Sequence, residues 1–229
     1  MTGRCGALPY PRMLGVVGRS LLVVAVCLLV VGCGKRGSGK AASETRKVDR
    51  FDKIHVSGSA KLNLRVDPEE ADGTVVLRGD DDVVPNVKLE VTDGALTIRI
   101  DGEKTPNLPL EVSAVVANLD ELKISGAASG QVTDIDTKRF TVRLSGAAAL
   151  SVTGRADEVN MKLSGAPSVD ASRLAAGVAK VHVSGAGTVD VNATDKLEAH
   201  ISGAGSVTYG GDPKTVDKHI SGVGKIAQR

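Results

Sequence analysis

The sequence predicts an all-β fold, a β-helix or β-solenoid, because one short motif returns at a nearly constant interval through the C-terminal half of the chain. In each copy a branched aliphatic residue is followed by Ser and Gly, and usually by Ala. The copies are marked by Ser125, Ser145, Ser164, Ser184, Ser202 and Ser221, with an earlier one at Ser57. From Ser125 to Ser221 the intervals are 20, 19, 20, 18 and 19 residues. Such a repeat is typical of solenoids, in which each turn stacks on the one before.

Apolar and polar residues alternate on both sides of each serine. Before Ser184 the apolar residues are Ala179, Val181 and Val183, and Val189 and Val191 follow it. A period of two indicates β-strands rather than helices. We therefore predict turns of about 19 residues, each with two short strands and two corners, stacked in parallel about 4.8 Å apart.

Glycine follows the serine in every copy, and we predict that it forms a corner of each turn. The corner glycines are Gly126, Gly146, Gly165, Gly185, Gly203 and Gly222. Glycine is expected there because it adopts positive φ and because a Cβ would clash where two turns approach closely. We expect a right-handed coil, since crossovers between parallel strands are nearly always right-handed. A left-handed hexapeptide helix is the alternative, although no six-residue period is visible.

Residues 1–32 have the composition of a secretory signal peptide. Three arginines precede the apolar run Leu21–Val31, and no acidic residue is present. A run of this length is too short for a transmembrane helix. The stretch Val30–Cys33 resembles a bacterial lipobox, which makes Cys33 the predicted lipidation site. An ordinary signal that happens to end in Cys is the alternative, and Met13 is an alternative start.

Residues 33–47 are small, polar and basic and lack apolar periodicity, which predicts a flexible tether. Removal of the three arginines of the signal changes the net charge of the chain from +2 to −1. This balance gives no reason to expect a nucleic-acid partner. The other cysteines, Cys5 and Cys27, lie in the signal, so we expect neither a disulfide nor a zinc–thiolate site in the mature chain.

Residues 48–116 are predicted to be a less regular β-rich part that precedes the repetitive solenoid at 117–229. Phe51–Val66 reads as a first turn of the repeating type. Two alternating segments flank Asp93-Gly94, which is a strong hairpin signal. The acidic triplet Asp80–Asp82 is predicted to be a solvated loop, because a calcium site needs several oxygens at defined spacing.

Three features together resemble the putative auto-transporter adhesin, head GIN domain family. They are the opening stretch Phe51–Gly58, the hairpin at Asp93-Gly94 and the serial Ile-Ser-Gly-Ala-Gly turns, all behind a lipoprotein signal. The resemblance covers roughly residues 48–226. It implies a β-helical fold in the bacterial cell envelope and supplies no catalytic residues.

All four histidines stand at one repeat position, two residues before the serine. They are His55, His182, His200 and His219, and the remaining turns place Lys or Arg there. The pattern predicts an outward basic ladder, with His182, His200 and His219 about 5 Å apart on successive turns. Such a group could share a transition metal or bind an anion. We assign it as an exposed ladder without a metal, because no carboxylate recurs in phase to complete a metal shell.

A second polar ladder, six residues after the serine, contains Asp170 and Asp190 on neighbouring turns. Stacked carboxylates are used for acid and base work by β-helical enzymes that act on polysaccharides, which is the alternative function. The chain beyond the signal has two Phe, one Tyr and no Trp, so it offers little with which to stack sugars.

The sequence therefore predicts a non-enzymatic lipoprotein with a binding, adhesive or structural role exerted through flat outward faces. Its expected partners are a membrane, through the lipid anchor, and an envelope or extracellular protein or polysaccharide. We expect export to the cell envelope, at the outer membrane or cell surface, and no cofactor.

Overall fold

Fifteen strands form one continuous sheet in the structure, a computed structural model that describes residues 36–101 and 104–229. The strands are β1 (Ala41–Lys47), β2 (Lys53–Ser57), β3 (Lys61–Val66), β4 (Thr74–Asp80), β5 (Val87–Thr92), β6 (Ala95–Ile100), β7 (Glu111–Val116), β8 (Glu121–Gly126), β9 (Ser129–Gly146), β10 (Ala149–Gly165), β11 (Ser168–Gly185), β12 (Thr188–Gly203), β13 (Ser206–Gly210), β14 (Thr215–Gly222) and β15 (Lys225–Gln228). A short 3-10 turn, Val84–Asn86, precedes β5. The predicted signal peptide and Cys33 lie outside the described residues. Over the described ranges, no helix is both long and apolar enough to cross a membrane.

Strands β9 to β12 stack in parallel, and each covers one turn of the repeat. The pairing aligns the motif copies with one another, so that Ser145, Ser164 and Ser184 lie side by side in successive strands. Strands β13 to β15 continue the stack on β12. The prediction of a β-solenoid is confirmed, whereas the right-handed coil stays a prediction.

Each turn has one more apolar segment than the predicted pair of strands. In β11 the buried side chains fall into three groups, listed in order as Val169 and Ala171, then Leu174 and Ala176, then Ala179, Val181 and Val183. The strand bends between groups without ending, and the register with neighbouring strands shifts at these bends. The alternation of apolar residues shifts by one residue at each bend. A search for strict alternation on either side of the serine therefore misses the middle group.

The core is made of stacked aliphatic columns. The position before the serine shows this most clearly, with Ile124, Leu144, Leu163, Val183 and Ile201 all buried. Because the strands are in register, each of these side chains packs on its counterpart in the turns above and below. The buried area is therefore distributed along the whole length of the stack, as expected for a solenoid.

Gly185 shows why the corners are built from glycine. Its φ is +128°, and a Cβ added to it would lie 2.3 Å from the carbonyl oxygen of Gly165 in the turn below. The next amide, that of Ala186, donates a hydrogen bond of 2.8 Å to the same oxygen. A side chain at Gly185 would thus displace the backbone contact that links the two turns.

The N-terminal part joins the solenoid as its first turn. Strands β2 and β3 pair in parallel with β8 and β9, and β2 also pairs with β6. The predicted hairpin is confirmed, since β5 and β6 are antiparallel and both Asp93 and Gly94 have positive φ. Strands β7, β4 and β1 extend the sheet on the β3 side.

The tether prediction was wrong for residues 41–47. They form β1, which lies antiparallel to β4 at one end of the sheet path. Its burial alternates between exposed and half-buried, because one face packs on the protein and carries Ala42, Glu44 and Arg46 rather than aliphatic residues. With Ala42 as the one apolar side chain on this face, the sequence gives no period-two hydrophobic signal for the strand.

The acidic triplet holds the segment before β1 in place, which also corrects the prediction of a solvated loop. Asp80 is fully buried and accepts hydrogen bonds from the backbone amides of Gly39, Asn107 and Leu108 at 2.7–3.1 Å. Asp82 accepts another from the amide of Ser38 at 2.9 Å. A buried carboxylate is tolerated here because backbone donors replace its water.

Candidate functional site

One outward surface of the solenoid, which we call the ladder face, presents the residue two before the serine in every turn. From the first turn to the last the side chains are His55, Lys123, Arg143, Lys162, His182, His200 and His219. Strand pairing places each directly beside the next. The result is an unbroken row of basic side chains, all at least partly exposed.

Two more polar rows flank this basic row. The motif serines form one of them, because they are two residues further along each strand and point to the same side. The other row lies four residues before the serines and consists of Lys53, Glu121, Thr141, Asn160, Lys180, Glu198 and Asp217. The ladder face is therefore polar across its whole width.

Three consecutive cations occupy the middle of the ladder face. Lys123, Arg143 and Lys162 line a shallow depression of about 550 Å³ together with the adjacent serines and Asn160. Within residues 36–101 and 104–229, neither lysine has a carboxylate oxygen within 4.0 Å, and Arg143 lies 3.6 Å from Glu121. The side-chain oxygen of Asn160 is buried and finds no hydrogen-bond partner among the same residues. The cations and the serine hydroxyls of this depression are therefore the groups that a ligand could contact.

The first turn differs, because its histidine lies beside a carboxylate. Oε1 of Glu121 lies 3.1 Å from Nε2 of His55, and Oε2 of the same carboxylate lies 3.6 Å from Nε of Arg143. This carboxylate therefore offsets part of the positive charge at the start of the row.

The last three histidines lie against one another. The rings of His182 and His200 are stacked, with centroids 4.8 Å apart and planes 9° from parallel, and the ring of His219 is tilted at 5.6 Å from that of His200. Burial lowers the pKa of His182, and the nearby His200 adds to this effect. Both causes favour a neutral imidazole at His182.

A carboxylate stands beside these histidines, contrary to the argument made from the sequence. Oε1 of Glu198 is 3.3 Å from Nε2 of His200. Glu198 is two residues before His200 on β12, and residues two apart on a strand share a face. The sequence was searched only for carboxylates that recur in phase with the histidines. A neighbouring row on the same face also carries a carboxylate.

The stacked carboxylates of the alternative function do not have the surroundings of a general acid. Asp170 and Asp190 pair in register, as the spacing predicts. Asp170 accepts a hydrogen bond from the hydroxyl of Ser172, which together with the Ser172 amide lowers its pKa. Asp190 is 2.8 Å from the guanidinium of Arg229. An acid–base pair needs one carboxyl that carries a proton near neutral pH, usually through burial, and these two are exposed or half-buried with polar partners.

The serial turns and their outward rows can be compared with known proteins. The family model described as Putative auto-transporter adhesin, head GIN domain matches residues 50–213, which is more than half of the chain. The chain belongs to this family. The head GIN domain thus includes the first turn, the hairpin and most of the ladder face. No curated protein sequence matches the chain.

Solved structures share the fold of this head GIN domain protein. The crystal structure of a putative adhesin from Bacteroides fragilis NCTC 9343 has 20% identity and a TM-score of 0.69, covering 86% of this chain and 100% of that one. A putative adhesin from Parabacteroides merdae ATCC 43184 has 20% identity and a TM-score of 0.52, covering 85% and 98%. A putative lipid binding protein from Parabacteroides distasonis ATCC 8503 has 20% identity and a TM-score of 0.51, also covering 85% and 98%. At these identities the likeness establishes the fold.

Proposed function

We propose that this protein is a non-enzymatic, lipid-anchored component of the bacterial cell envelope that binds an acidic polysaccharide along its ladder face. Membership of a family named for adhesins supports a binding role at the surface. The ligand class is inferred from the chemistry of the face itself.

The observation that carries the proposal is the row formed by Lys123, Arg143 and Lys162. Their backbones are adjacent in parallel strands, so the cations repeat about every 4.8 Å along the stack. Two of the three have no acidic partner within the described residues. A linear polymer with regularly placed carboxylates or sulfates matches such a row better than a compact ligand does, because it can contact several turns at once.

The rows on either side fit a carbohydrate as well. Serine hydroxyls can donate and accept hydrogen bonds, and sugar hydroxyls need both kinds of partner. Aromatic side chains are scarce on this chain, so charge and hydrogen bonding would supply the affinity. Exposed contacts of this kind are individually weak, which makes the number of turns engaged decisive.

Cys33 provides the anchor in this proposal. The signal-like residues 1–32 and the lipobox-like Val30–Cys33 support export and lipidation. Anchorage at the outer membrane or cell surface would present the ladder face to envelope or extracellular polysaccharide. The surroundings of Asp170 and Asp190 support a role without catalysis.

Binding to alginate, a linear polymer of uronic acids, tests the proposal. The full chain in detergent should bind immobilised alginate and leave neutral dextran unbound, with affinity that falls as salt is added. The double variant Lys123→Gln, Lys162→Gln should bind about tenfold more weakly, equivalent to about 1.4 kcal/mol. Arg78→Gln with Arg173→Gln is the matched control, because it removes the same charge from exposed positions outside the three rows of the ladder face.

The control decides whether the face or the overall charge is responsible. Equal losses in the two double variants would show unspecific attraction and would refute a ladder-face site. Absence of alginate binding by the unmodified chain at low salt would refute the ligand class.

A further inference from the structure

The structure points to a second site on the same ladder face, next to the three cations proposed to contact the polysaccharide. We propose that His182, Glu198 and His200 bind a divalent transition-metal ion, with Zn²⁺ as the representative ion. Within the ranges that the structure describes, this is the one group of three histidine, cysteine or acidic residues whose donor atoms converge; these atoms all lie within 4.8 Å of one another.

Two strands hold the three ligands in place. His182 on β11 pairs directly with His200 on β12, and Glu198 is two residues before His200. The distance between the two backbones is set by the hydrogen bonds of the sheet rather than by a loop. A site on such rigid strands needs only side-chain rotation to close around an ion.

One of the distances between donor atoms already suits a tetrahedral ion. Zinc bonds to imidazole nitrogen and carboxylate oxygen of about 2.0–2.2 Å require donor atoms roughly 3.3 Å apart. The pair formed by Glu198 Oε1 and His200 Nε2 already stands at 3.3 Å. The two imidazoles, stacked with centroids 4.8 Å apart, approach further when their rings turn about χ2.

A neighbouring lysine orients the carboxylate without occupying it. Lys196 lies 3.7 Å from Oε2 of Glu198 but only 2.9 Å from a carboxylate oxygen of Asp217. Because Asp217 is the nearer partner, Lys196 keeps an ion pair when Glu198 turns towards a metal. The oxygen that faces His200 is the other one, Oε1.

The ligand set selects the class of ion. Two imidazoles and one carboxylate favour Zn²⁺, Ni²⁺ or Cu²⁺, whereas Mg²⁺ and Ca²⁺ prefer oxygen ligands alone. Three protein ligands leave one position of a tetrahedral ion open to water or to a donor atom of a bound molecule. His219 is adjacent to His200, with ring centroids 5.6 Å apart, but its nitrogens are not among the donor atoms that converge.

Isothermal titration calorimetry of the full chain in detergent with zinc chloride tests the site. We expect one Zn²⁺ per chain with a Kd in the micromolar range or tighter, and no binding of Mg²⁺. His200→Ala should weaken binding by more than the 10- to 100-fold that loss of an outer-shell partner costs. Glu198→Gln keeps the size of the side chain and should also weaken binding. A rise of the thermal unfolding temperature with added Zn²⁺, absent in His200→Ala, gives an independent readout.

His55→Ala is the matched control. His55 occupies the same ladder position beside a glutamate, but its strand neighbours contribute Thr97 and Lys123 instead of a second histidine. We expect unchanged zinc affinity in this variant. Failure of the unmodified chain to bind Zn²⁺ would overturn the proposal. Unchanged Zn²⁺ affinity in His200→Ala would also overturn it, provided that this variant unfolds at the same temperature as the unmodified chain when no zinc is present. Because alginate is absent, these outcomes are independent of the proposed polysaccharide binding.

Discussion

The ammonium nitrogen of Lys218 lies 4.8 Å from the centroid of the Tyr209 ring. Lys218 takes the register position that Ala199, a buried residue, holds in the turn before. At the last turn a cation therefore replaces an inward aliphatic side chain and packs on the aromatic ring that ends the core, a favourable cation–π geometry. The lysine covers the core while its charge stays in contact with water.

We predict that this arrangement prevents the open end from joining other copies. The last turn leaves the outer edges of β14 and β15 without a partner strand in the described chain, and Ile220 and Val223 are 42% and 86% exposed. Unpaired edges next to apolar side chains recruit further strands unless charge opposes them. The double variant Lys218→Val, Lys225→Val should form oligomers whose mass, measured by light scattering, increases with concentration.

Lys138→Val serves as the control for this experiment, since it adds the same side chain on the flank of the solenoid. It should keep the mass of the unmodified protein. A double variant that also keeps that mass at high concentration would disprove the capping role of the lysines.

Replacing a corner glycine should lower the free energy of unfolding most where the added side chain would contact the turn below. Gly185→Val combines an unfavourable φ with a Cβ 2.3 Å from the carbonyl oxygen of Gly165. It should reduce the free energy of unfolding by about 3–5 kcal/mol. Gly58 has a φ of +108° and nothing within 4 Å of the added Cβ, so Gly58→Val should cost only the backbone strain, about 1–3 kcal/mol. Denaturant unfolding measures both, and equal losses would argue against close stacking at Gly185.

Lipidation is predicted to require Cys33. Growth with a radioactive fatty acid should label the unmodified protein and leave Cys33→Ser unlabelled, and the variant should move from the detergent phase to the aqueous phase. Cys27→Ser provides the control, because that residue lies in the apolar run of the signal and should leave labelling intact. Label on Cys33→Ser would contradict the anchor.

Acid should weaken the attachment of β1. The ammonium of Lys47 is 2.6 Å from Asp72 and, as the largest cause, lowers the pKa of that carboxyl from 3.8 to about 2. A folded-state pKa below the unfolded value stabilises the protein above pH 3.8, and this contribution disappears as the pH falls to about 2. The difference in unfolding temperature between the unmodified protein and Asp72→Asn should therefore shrink from pH 5 towards pH 2, roughly across the range that linkage predicts.

Lys47→Met should reproduce part of the effect of Asp72→Asn, because it removes the ion pair while the hydrogen bonds from Thr74 still lower the pKa of Asp72. A temperature difference that does not depend on pH would show that Asp72 acts without its charge.

The solenoid could be predicted because every copy of the repeat shows the same pattern of apolar residues, serine and glycine. A branched aliphatic residue before each serine defined the core column from Ile124 to Ile201, and all of these residues are buried. Strand β1 could not be found in this way, since it contacts its partner β4 through backbone hydrogen bonds and only Ala42 among its inward side chains is apolar. A buried carboxylate such as Asp80 likewise has no signature in sequence until its backbone donors are known.

The histidines of the candidate site were predicted from the sequence, but Glu198 was not, and the reason is geometric. The basic row, including His182, His200 and His219, follows from one position of the repeat. Glu198 belongs to a neighbouring row whose residues change from turn to turn, from Thr141 through Asn160 to Glu198. Repetition carries no information about such a row, so the meeting of Glu198 with the two histidines became visible only with coordinates.

The shifts of strand register lie at the bends and leave the ladder face untouched. Between β10 and β11, for example, the shift falls between Ser151 and Thr153, and the pairing from Glu158 to Gly165 is continuous. Differences in length between turns are consequently absorbed at the bends, and the spacing of the basic side chains along the row stays the same. Duplication of a single turn would lengthen the row by one side chain, about 4.8 Å, so the reach of such a protein can evolve in unit steps without any redesign of the face.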